Sequence, residues 1–113
     1  MIKKENRLTK DKEFDNVWQN GQASFDKTLG VKMVKNDLKI SRLGILVGTK
    51  VSKKAVLRNK IKRRLRKIVR AQFEEIKPGF DIVIIALPAC QKKELAELEI
   101  SILDNFKKLK LFK

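Results

Sequence analysis

Basic side chains dominate one segment of this chain, and the chemistry that they offer is the binding of phosphate. Eleven lysine and arginine residues lie between Lys50 and Arg70, and the segment contains no aspartate or glutamate. Ammonium and guanidinium groups attract phosphate oxygens, and a guanidinium group can bind two of them at once. On a surface that only met water, so many like charges would repel one another. We therefore expect the partner of this segment to be a polyphosphate.

The same segment has the periodicity of an amphipathic helix. One face is formed by Leu57, Ile61, Leu65, Ile68, Gln72 and Ile76. This spacing predicts a helix with one side in a core. Much of the remaining surface then carries Arg58, Asn59, Lys62, Arg63, Arg66 and Arg70. Because a folded helix holds its charges in fixed positions, it can recognise the shape of a nucleic acid as well as attract it.

Residues that would support catalysis by the protein itself are scarce. The chain has no histidine, which is the usual general base near neutral pH and the commonest metal ligand. Its single cysteine, Cys90, excludes an internal disulfide and a zinc site built from several cysteines. The acids beyond the basic segment are spaced like solvated helix faces and strand ends. We therefore predict no catalytic residue in this protein.

The composition indicates one small, strongly cationic domain. The chain has 113 residues, of which 42% are hydrophobic and 36% charged, and its formal net charge is +15. This length suits one core, so we expect residues 1–113 to form a single domain, with Met1 to Asn6 as a flexible tail. No run approaches 18 apolar residues, and the start lacks the features of a signal peptide. These features favour a cytoplasmic protein that binds nucleic acid rather than a membrane.

A first helix is predicted between Thr9, as its cap, and Gly21, as its end. Phe14, Val17 and Trp18 are spaced to share one face of this helix. At least part of this trio must pack in the core. The residues alone leave open whether Phe14 and Trp18 are core side chains or remain accessible to a ligand.

Three strands and a closing helix complete the predicted architecture. Alternating or continuous apolar residues predict strands at 22–35, 42–51 and 81–87, and an amphipathic pattern predicts a helix at 91–109. The order is αββαβα. It indicates an α+β fold in which helices pack on a mixed central sheet of about four strands or fewer. A strand, the basic helix and a further strand follow one another, so we expect a β-helix-β crossover.

The segment VGTKVSKKAVLRNKIKRRLR resembles the RNR signature of the bacterial ribonuclease P protein subunit, in which V-S-K-K is followed by A-V-x-R-N-R-I-K-R-x-x-R. The resemblance extends from about Lys4 to Phe112. It implies a protein that joins a catalytic RNA and assists the magnesium-dependent removal of the 5′ leader from precursor tRNA. The RNA would bind most of the Mg²⁺ and perform the chemistry, without any further protein partner. The resemblance also implies a left-handed crossover, against the general preference for the right-handed form.

The resemblance assigns contacts with the RNA subunit to ten residues: Lys50, Lys53, Lys54, Arg58, Asn59, Lys60, Lys62, Arg63, Arg66 and Arg70. Asn59 would lie close to an ordered metal ion or water. Lys60 stands where the family usually has arginine, so the charge is kept and the forked guanidinium is lost. A glycine pattern of the family is altered at Ser52, which predicts a different start to the helix.

The resemblance also implies a cleft between the sheet and the first helix that binds the leader. Phe14, Trp18 and Lys32 occupy the positions that would line it. Aromatic rings stack on unpaired bases with little sequence preference, which suits leaders of varied sequence. Because Lys32 replaces a residue that is aromatic in some relatives, its contact with the leader would be electrostatic.

Two other functions stay open from the residues. A structural RNA-binding protein, for example in a ribosome, would explain the charge but would not distinguish a leader-bearing precursor from mature tRNA. A protein nuclease would need a cluster of metal-binding carboxylates. The scattered acids and the absent histidine argue against this nuclease.

Overall fold

The computed structural model describes residues 3–113. Its helices are α1 (Asp11–Asn20), α2 (Ala55–Gln72) and α3 (Leu95–Lys108), and its strands are β1 (Gln22–Phe25), β2 (Leu29–Lys35), β3 (Arg42–Leu46) and β4 (Phe80–Ala86). The strands form one sheet in the order β1-β2-β4-β3. β3 and β4 are parallel neighbours joined through α2, and the other neighbours are antiparallel. The predicted α+β class, mixed sheet and β-helix-β crossover are confirmed, while the hand of the crossover stays a prediction.

The sheet is covered by helices on both faces, but to different extents. Successive strand residues point to opposite faces. On one face, Val31 and Ile84 pack with Leu65 of α2 and Ile102 of α3 in the main core. On the other face, α1 packs over a smaller cluster centred on Val17 and Val83. The helix α1 leaves part of this second face accessible.

The strand that the sequence predicts at residues 22–35 is two strands joined by a tight turn. The Asp26 carboxylate accepts hydrogen bonds from the backbone N–H of Thr28 at 2.8 Å and of Leu29 at 2.9 Å. The Asp26 N–H donates to the Leu29 carbonyl at 3.0 Å. This Asx turn reverses the chain, so β1 and β2 form a hairpin. The helical and strand order is therefore αβββαβα.

The residues before α1 belong to the fold. Asn6 is buried, and its amide donates a hydrogen bond to the Ser41 carbonyl at 2.8 Å. Lys4–Asn6 form a short 3-10 helix. The prediction of a flexible tail is therefore wrong for Lys4–Asn6, because the buried hydrogen bond of the Asn6 side chain holds this segment against the fold. Met1 and Ile2 of the predicted tail lie outside the described residues.

Helix α1 begins at Asp11, and its cap differs from the predicted one. The Glu13 carboxylate accepts hydrogen bonds from the N–H groups of Thr9 at 3.1 Å and Lys10 at 3.0 Å. The Thr9 side chain does not serve as the cap. Glu13 therefore neutralises the N-terminus of α1, where a carboxylate also complements the helix dipole. The helix ends before Gly21, as predicted.

Candidate nucleic-acid interface

Helix α2 separates an apolar face from a cationic one. It buries Ile61, Leu65, Ile68 and Val69. The predicted RNA-binding residues that are exposed are Lys50, Lys53, Lys54, Asn59, Lys60, Arg63 and Arg70, and Arg58, Lys62 and Arg66 are partly buried. The predicted helix with one face in the core is confirmed, but it ends at Gln72, so Ile76 is buried beyond the helix and not on its face. Burial of the apolar face fixes the helix axis and so fixes the positions of the cations.

The positive charge of α2 is not neutralised by acids of the protein. Within residues 3–113, salt bridges join Arg42 to Glu13 and Asp81, and Lys93 to Glu97. None of these involves the eleven basic side chains of the segment 50–70. Such a surface creates a strong positive potential and attracts a polyanion.

The start of α2 is held by side chains of the signature segment. The Nη1 group of Arg58 donates to the carbonyls of Ser52 at 3.1 Å and Lys53 at 3.0 Å. The Ser52 hydroxyl accepts a hydrogen bond from the Lys54 N–H at 3.2 Å. Ser52 therefore stabilises the turn before the helix. Arg58 orders this turn through one end of its guanidinium group.

Four cations of α2 surround a shallow hollow. Arg63, Arg66, Lys67 and Arg70 line this concavity of about 350 Å³. Residues three and four apart share one face of a helix, which explains the cluster. Lys67 is a member that the sequence analysis did not select as a contact residue. Its spacing of four from Arg63 was the signal that identifies it. The arrangement suits binding of backbone phosphates.

A second hollow connects α2 with the face of the sheet that carries α1. This cavity of about 150 Å³ is lined by the following residues: Arg7, Leu8, Thr9, Phe14, Leu43, Gly44, Ile45, Lys62 and Arg66. Phe14 of the predicted leader cleft and two cations of the basic helix therefore meet in one place. Phe14 is partly buried, and its ring lies so close to Gly44 that a Cβ atom there would be 2.5 Å from it.

Trp18 and Lys32 form a contact at the other end of α1. The Trp18 side chain is 49% exposed. The Lys32 ammonium lies 4.4 Å from the centroid of the Trp18 ring and donates a hydrogen bond to the Trp18 carbonyl at 3.3 Å. This cation–π contact orients the ring while leaving much of it in solvent. The structure thus places Trp18 in an accessible position, with a cation beside it.

Beside α1 a row of four residues crosses this face of the sheet, and we call it the uncovered row because both of its ends are exposed. The row crosses the strands in the order Phe25, Gly30, Ile85 and Leu46. Phe25 is 49% exposed and Leu46 38% exposed. Between the ends, Gly30 is buried and Ile85 packs partly against the Val17 cluster. Phe25 was not predicted to lie on this face, because its position depends on the turn between β1 and β2, which the sequence pattern does not predict.

An ion-pair network centred on Arg42, with the buried carboxylate of Asp81, anchors α1 to the sheet. Arg42 of β3 donates from Nε and Nη2 to the Asp81 carboxylate at 2.8 and 2.7 Å, and it also pairs with Glu13 of α1. The hydrogen bond with Asp81 is the largest cause that raises the pKa of Arg42. Hydrogen bonding to the Lys10 backbone, with Arg42 nearby, lowers the pKa of Glu13. Arg42 and Glu13 are therefore charged at neutral pH, and together with Asp81 they hold α1 against β3 and β4.

Comparison with known proteins decides the family. The family model for Ribonuclease P matches residues 2–110 of the chain. The chain belongs to the ribonuclease P protein family. Members of this family are the protein component of bacterial ribonuclease P, an endoribonuclease that processes the 5′ leader of tRNA. The predicted family and function are confirmed.

Relatives of this ribonuclease P protein match it over nearly their whole length. The ribonuclease P protein component of Clostridium botulinum (strain 657 / Type Ba4) is 34% identical over 110 residues, which cover 96% of this chain and 98% of that protein. The component of Alkaliphilus metalliredigens (strain QYMF) is 35% identical over 106 residues, with 94% and 95% covered.

Solved structures of the family have the same fold. The Staphylococcus aureus RNase P protein superposes with a TM-score of 0.87 at 28% identity, covering 96% of this chain and 98% of that one. The Thermotoga maritima RNase P protein gives a TM-score of 0.78 at 31% identity, with 87% and 92% covered.

Reactive groups of this ribonuclease P protein are few. Burial raises the pKa of the Cys90 thiol to about 11, so it is protonated at neutral pH and is a poor nucleophile. Within residues 3–113, no group of three or more acidic, histidine or cysteine side chains is placed to hold a metal ion. In the same range no helix is long and apolar enough to cross a membrane.

Proposed function

We propose that α2 binds the catalytic RNA subunit and that the face beside α1 holds the 5′ leader of precursor tRNA. The main support for this proposal is the cavity that Phe14 lines together with Lys62 and Arg66. Through it the cationic surface of α2 continues onto the aromatic face of the sheet. One polynucleotide surface can therefore serve two RNAs, with the leader passing close to the RNA subunit.

On α2, the exposed cations act mainly on phosphates. Arg63, Lys67 and Arg70 surround the larger hollow and are free of acidic partners within the described residues. Binding to phosphate supplies affinity that is largely independent of sequence and falls with salt. Arg58 adds to this surface while its Nη1 group orders the turn before the helix.

In the leader cleft, Trp18 offers a ring and Lys32 a charge. A base stacked on Trp18 contributes about 1 to 3 kcal/mol, whichever base it is. The Lys32 ammonium, 4.4 Å from the ring centroid, lies where it can attract the neighbouring phosphate. Phe14 forms the wall between this cleft and α2. The protein thereby positions the leader without reading its sequence.

Magnesium belongs with the RNA in this proposal. Mg²⁺ prefers oxygen ligands, and the surroundings of Asn59 in α2 are cations. The protein alone therefore does not form a magnesium site there. RNA oxygens would supply the ligands, and the Asn59 amide would contact their hydration shell. The bound metal would serve the hydrolysis, and the protein residues orient the two RNAs.

The test is cleavage of a leader-bearing precursor tRNA at low magnesium by a bacterial ribonuclease P RNA. Reactions contain the RNA alone, the protein alone, or both. We expect the protein to accelerate cleavage only when the RNA is present, and to increase affinity for the precursor more than for mature tRNA. If the protein increases the affinity for precursor and mature tRNA equally, the proposed leader site is wrong. If the protein cleaves the precursor without the RNA, the proposal that the RNA performs the chemistry is wrong.

A further inference from the structure

Phe25 lies flat on the sheet because residue 30 has no side chain. A Cβ atom at Gly30 would be 2.1, 2.2 and 2.7 Å from three atoms of the Phe25 ring. The ring therefore fills the space that a side chain at residue 30 would take. Half of the Phe25 side chain nevertheless remains exposed. A large ring supported from below and open to solvent above is suited to stacking.

The position of Phe25 continues the cleft that Trp18 begins. Gly30 and Lys32 are two residues apart on one face of β2, so they lie about 7 Å from each other along the strand. Phe25 covers Gly30, and Lys32 holds the ring of Trp18. An aromatic ring, a cation and a second aromatic ring thus follow one another on this face. Unpaired RNA presents bases and phosphates in the same alternation.

The charge of the molecule selects RNA as the occupant of this face. The formal net charge of +15 repels a second copy of the chain and a cationic partner. The uncovered row is also continuous with the RNA surface of α2. From Leu46 on β3 the face leads past Gly44 to the cavity that Lys62 and Arg66 line. An unpaired strand that leaves α2 can therefore cross the sheet toward Phe25.

We propose that Phe25 is a second stacking platform for the 5′ leader and binds a different base from the one on Trp18. This inference rests on the leader site proposed above. It places an aromatic contact on the sheet beyond the cation of Lys32. Leaders long enough to reach β1 would be bound more tightly than leaders that end near Trp18.

The experiment measures binding of precursor tRNA to the assembled holoenzyme. The protein is wild type, Phe25→Ala or Trp18→Ala, and the leader contains one abasic nucleotide at each position in turn. We expect Phe25→Ala to weaken binding of the intact precursor about five-fold or more and to leave mature tRNA unaffected. The loss should vanish at one abasic position, and this position should differ from the one that removes the effect of Trp18→Ala.

Two further variants separate stacking from damage to the fold. Gly30→Ala retains Phe25 but displaces its ring, so it should also weaken precursor binding. Ile100→Ala removes an apolar side chain that is 62% exposed on α3, outside the cleft, and should bind as wild type does.

The outcomes distinguish this inference from the proposed function. If Trp18→Ala weakens precursor binding while Phe25→Ala and Gly30→Ala do not, the second platform is wrong and the leader site stands. If none of the three variants changes precursor binding, the leader site itself is wrong. If Phe25→Ala weakens binding equally at every abasic position, the ring does not stack on a base and the inference is overturned.

Discussion

Arg42 and Asp81 form a two-pronged ion pair between neighbouring parallel strands, with donor–acceptor distances of 2.8 and 2.7 Å. The side chain of Asp81 is only 2% exposed. The Asn36 amide also donates to this carboxylate, at 2.9 Å. Since Arg42 pairs with Glu13 as well, one guanidinium group joins α1 to the sheet. The anchor sets where α1, and with it the aromatic wall of the cleft, lies over the strands.

Replacing Arg42 should destabilise the protein strongly. Arg42→Ala leaves the Asp81 carboxylate buried without its cation, and breaking a buried pair in this way costs about 3 kcal/mol or more. Urea unfolding at neutral pH measures the change in free energy. Lys93→Ala is the matched control, because Lys93, just before α3, forms a solvent-accessible pair with Glu97 whose loss costs less than about 1 kcal/mol. Equal effects of the two variants would contradict the anchoring role.

The sequence predicted those elements whose residues repeat with one period over many positions. α2, α3 and β4 each have such a pattern, because one face or both faces are buried along their whole length. The turn at Asp26 was missed because most of the apolar residues before and after it, such as Phe25 and Leu29, stand at odd-numbered positions, although residues 26–28 are polar. Without that turn, the approach of Phe25 to Gly30 could not be foreseen, since it depends on the register of the hairpin.

The ion pairs of Arg42 and the cap of α1 could not be predicted from a local sequence pattern. Arg42 finds its partners 29 and 39 residues away along the chain, in Glu13 and Asp81. No periodicity connects residues at such separations. In contrast, the basic helix could be predicted because its charge and its helical period lie in the same stretch of sequence. Lys67 was nevertheless overlooked there, although its spacing of four from Arg63 places the two side chains on one face of the helix.

Removing one exposed cation of α2 should reduce the salt dependence of RNA binding. Arg63→Ala loses one phosphate contact, so the slope of log affinity against log salt should become shallower by about one unit. Stability should change by less than about 0.5 kcal/mol, because Arg63 is exposed. Titration of the ribonuclease P RNA at several salt concentrations gives the slope. Lys108→Ala, which removes the same charge from α3, should leave the slope unchanged. If Lys108→Ala reduces the slope as much as Arg63→Ala does, Arg63 acts only through the net charge of the protein and not through a phosphate contact.

Trp18 should report on the leader directly. It is the only tryptophan of the chain, so intrinsic fluorescence of the holoenzyme arises from this ring. We expect the fluorescence to change when precursor tRNA binds and to stay the same with mature tRNA. Trp18→Ala should weaken precursor binding by about 1 to 3 kcal/mol, whereas Trp18→Phe should retain part of the affinity. The same fluorescence change with both tRNAs would show that the ring does not contact the leader.

The stability of the β1–β2 hairpin should depend on pH through the Asp26 carboxylate. Burial by itself would raise the pKa of Asp26, but hydrogen bonds from Ser101, from the backbone of Leu29 and Thr28, and from Asn105 lower it below the ordinary value of 3.8. A lowered pKa means that the carboxylate stabilises the fold above about pH 3.8 and that this contribution is lost as the pH falls through the folded-state pKa.

Asp26→Asn isolates this contribution. An amide has one acceptor oxygen in place of two, so if it keeps the hydrogen bonds from Thr28 and Leu29, its NH2 group cannot accept those that Ser101 and Asn105 donate to the other oxygen. The variant should therefore be about 1 to 3 kcal/mol less stable at pH 7. Urea unfolding at pH 7 and again at pH 3 measures the difference, which should shrink at the lower pH. Glu13 also has a lowered pKa, but it titrates in both proteins and so cancels in the comparison. A difference that stays constant between the two pH values would show that Asp26 acts through its shape alone.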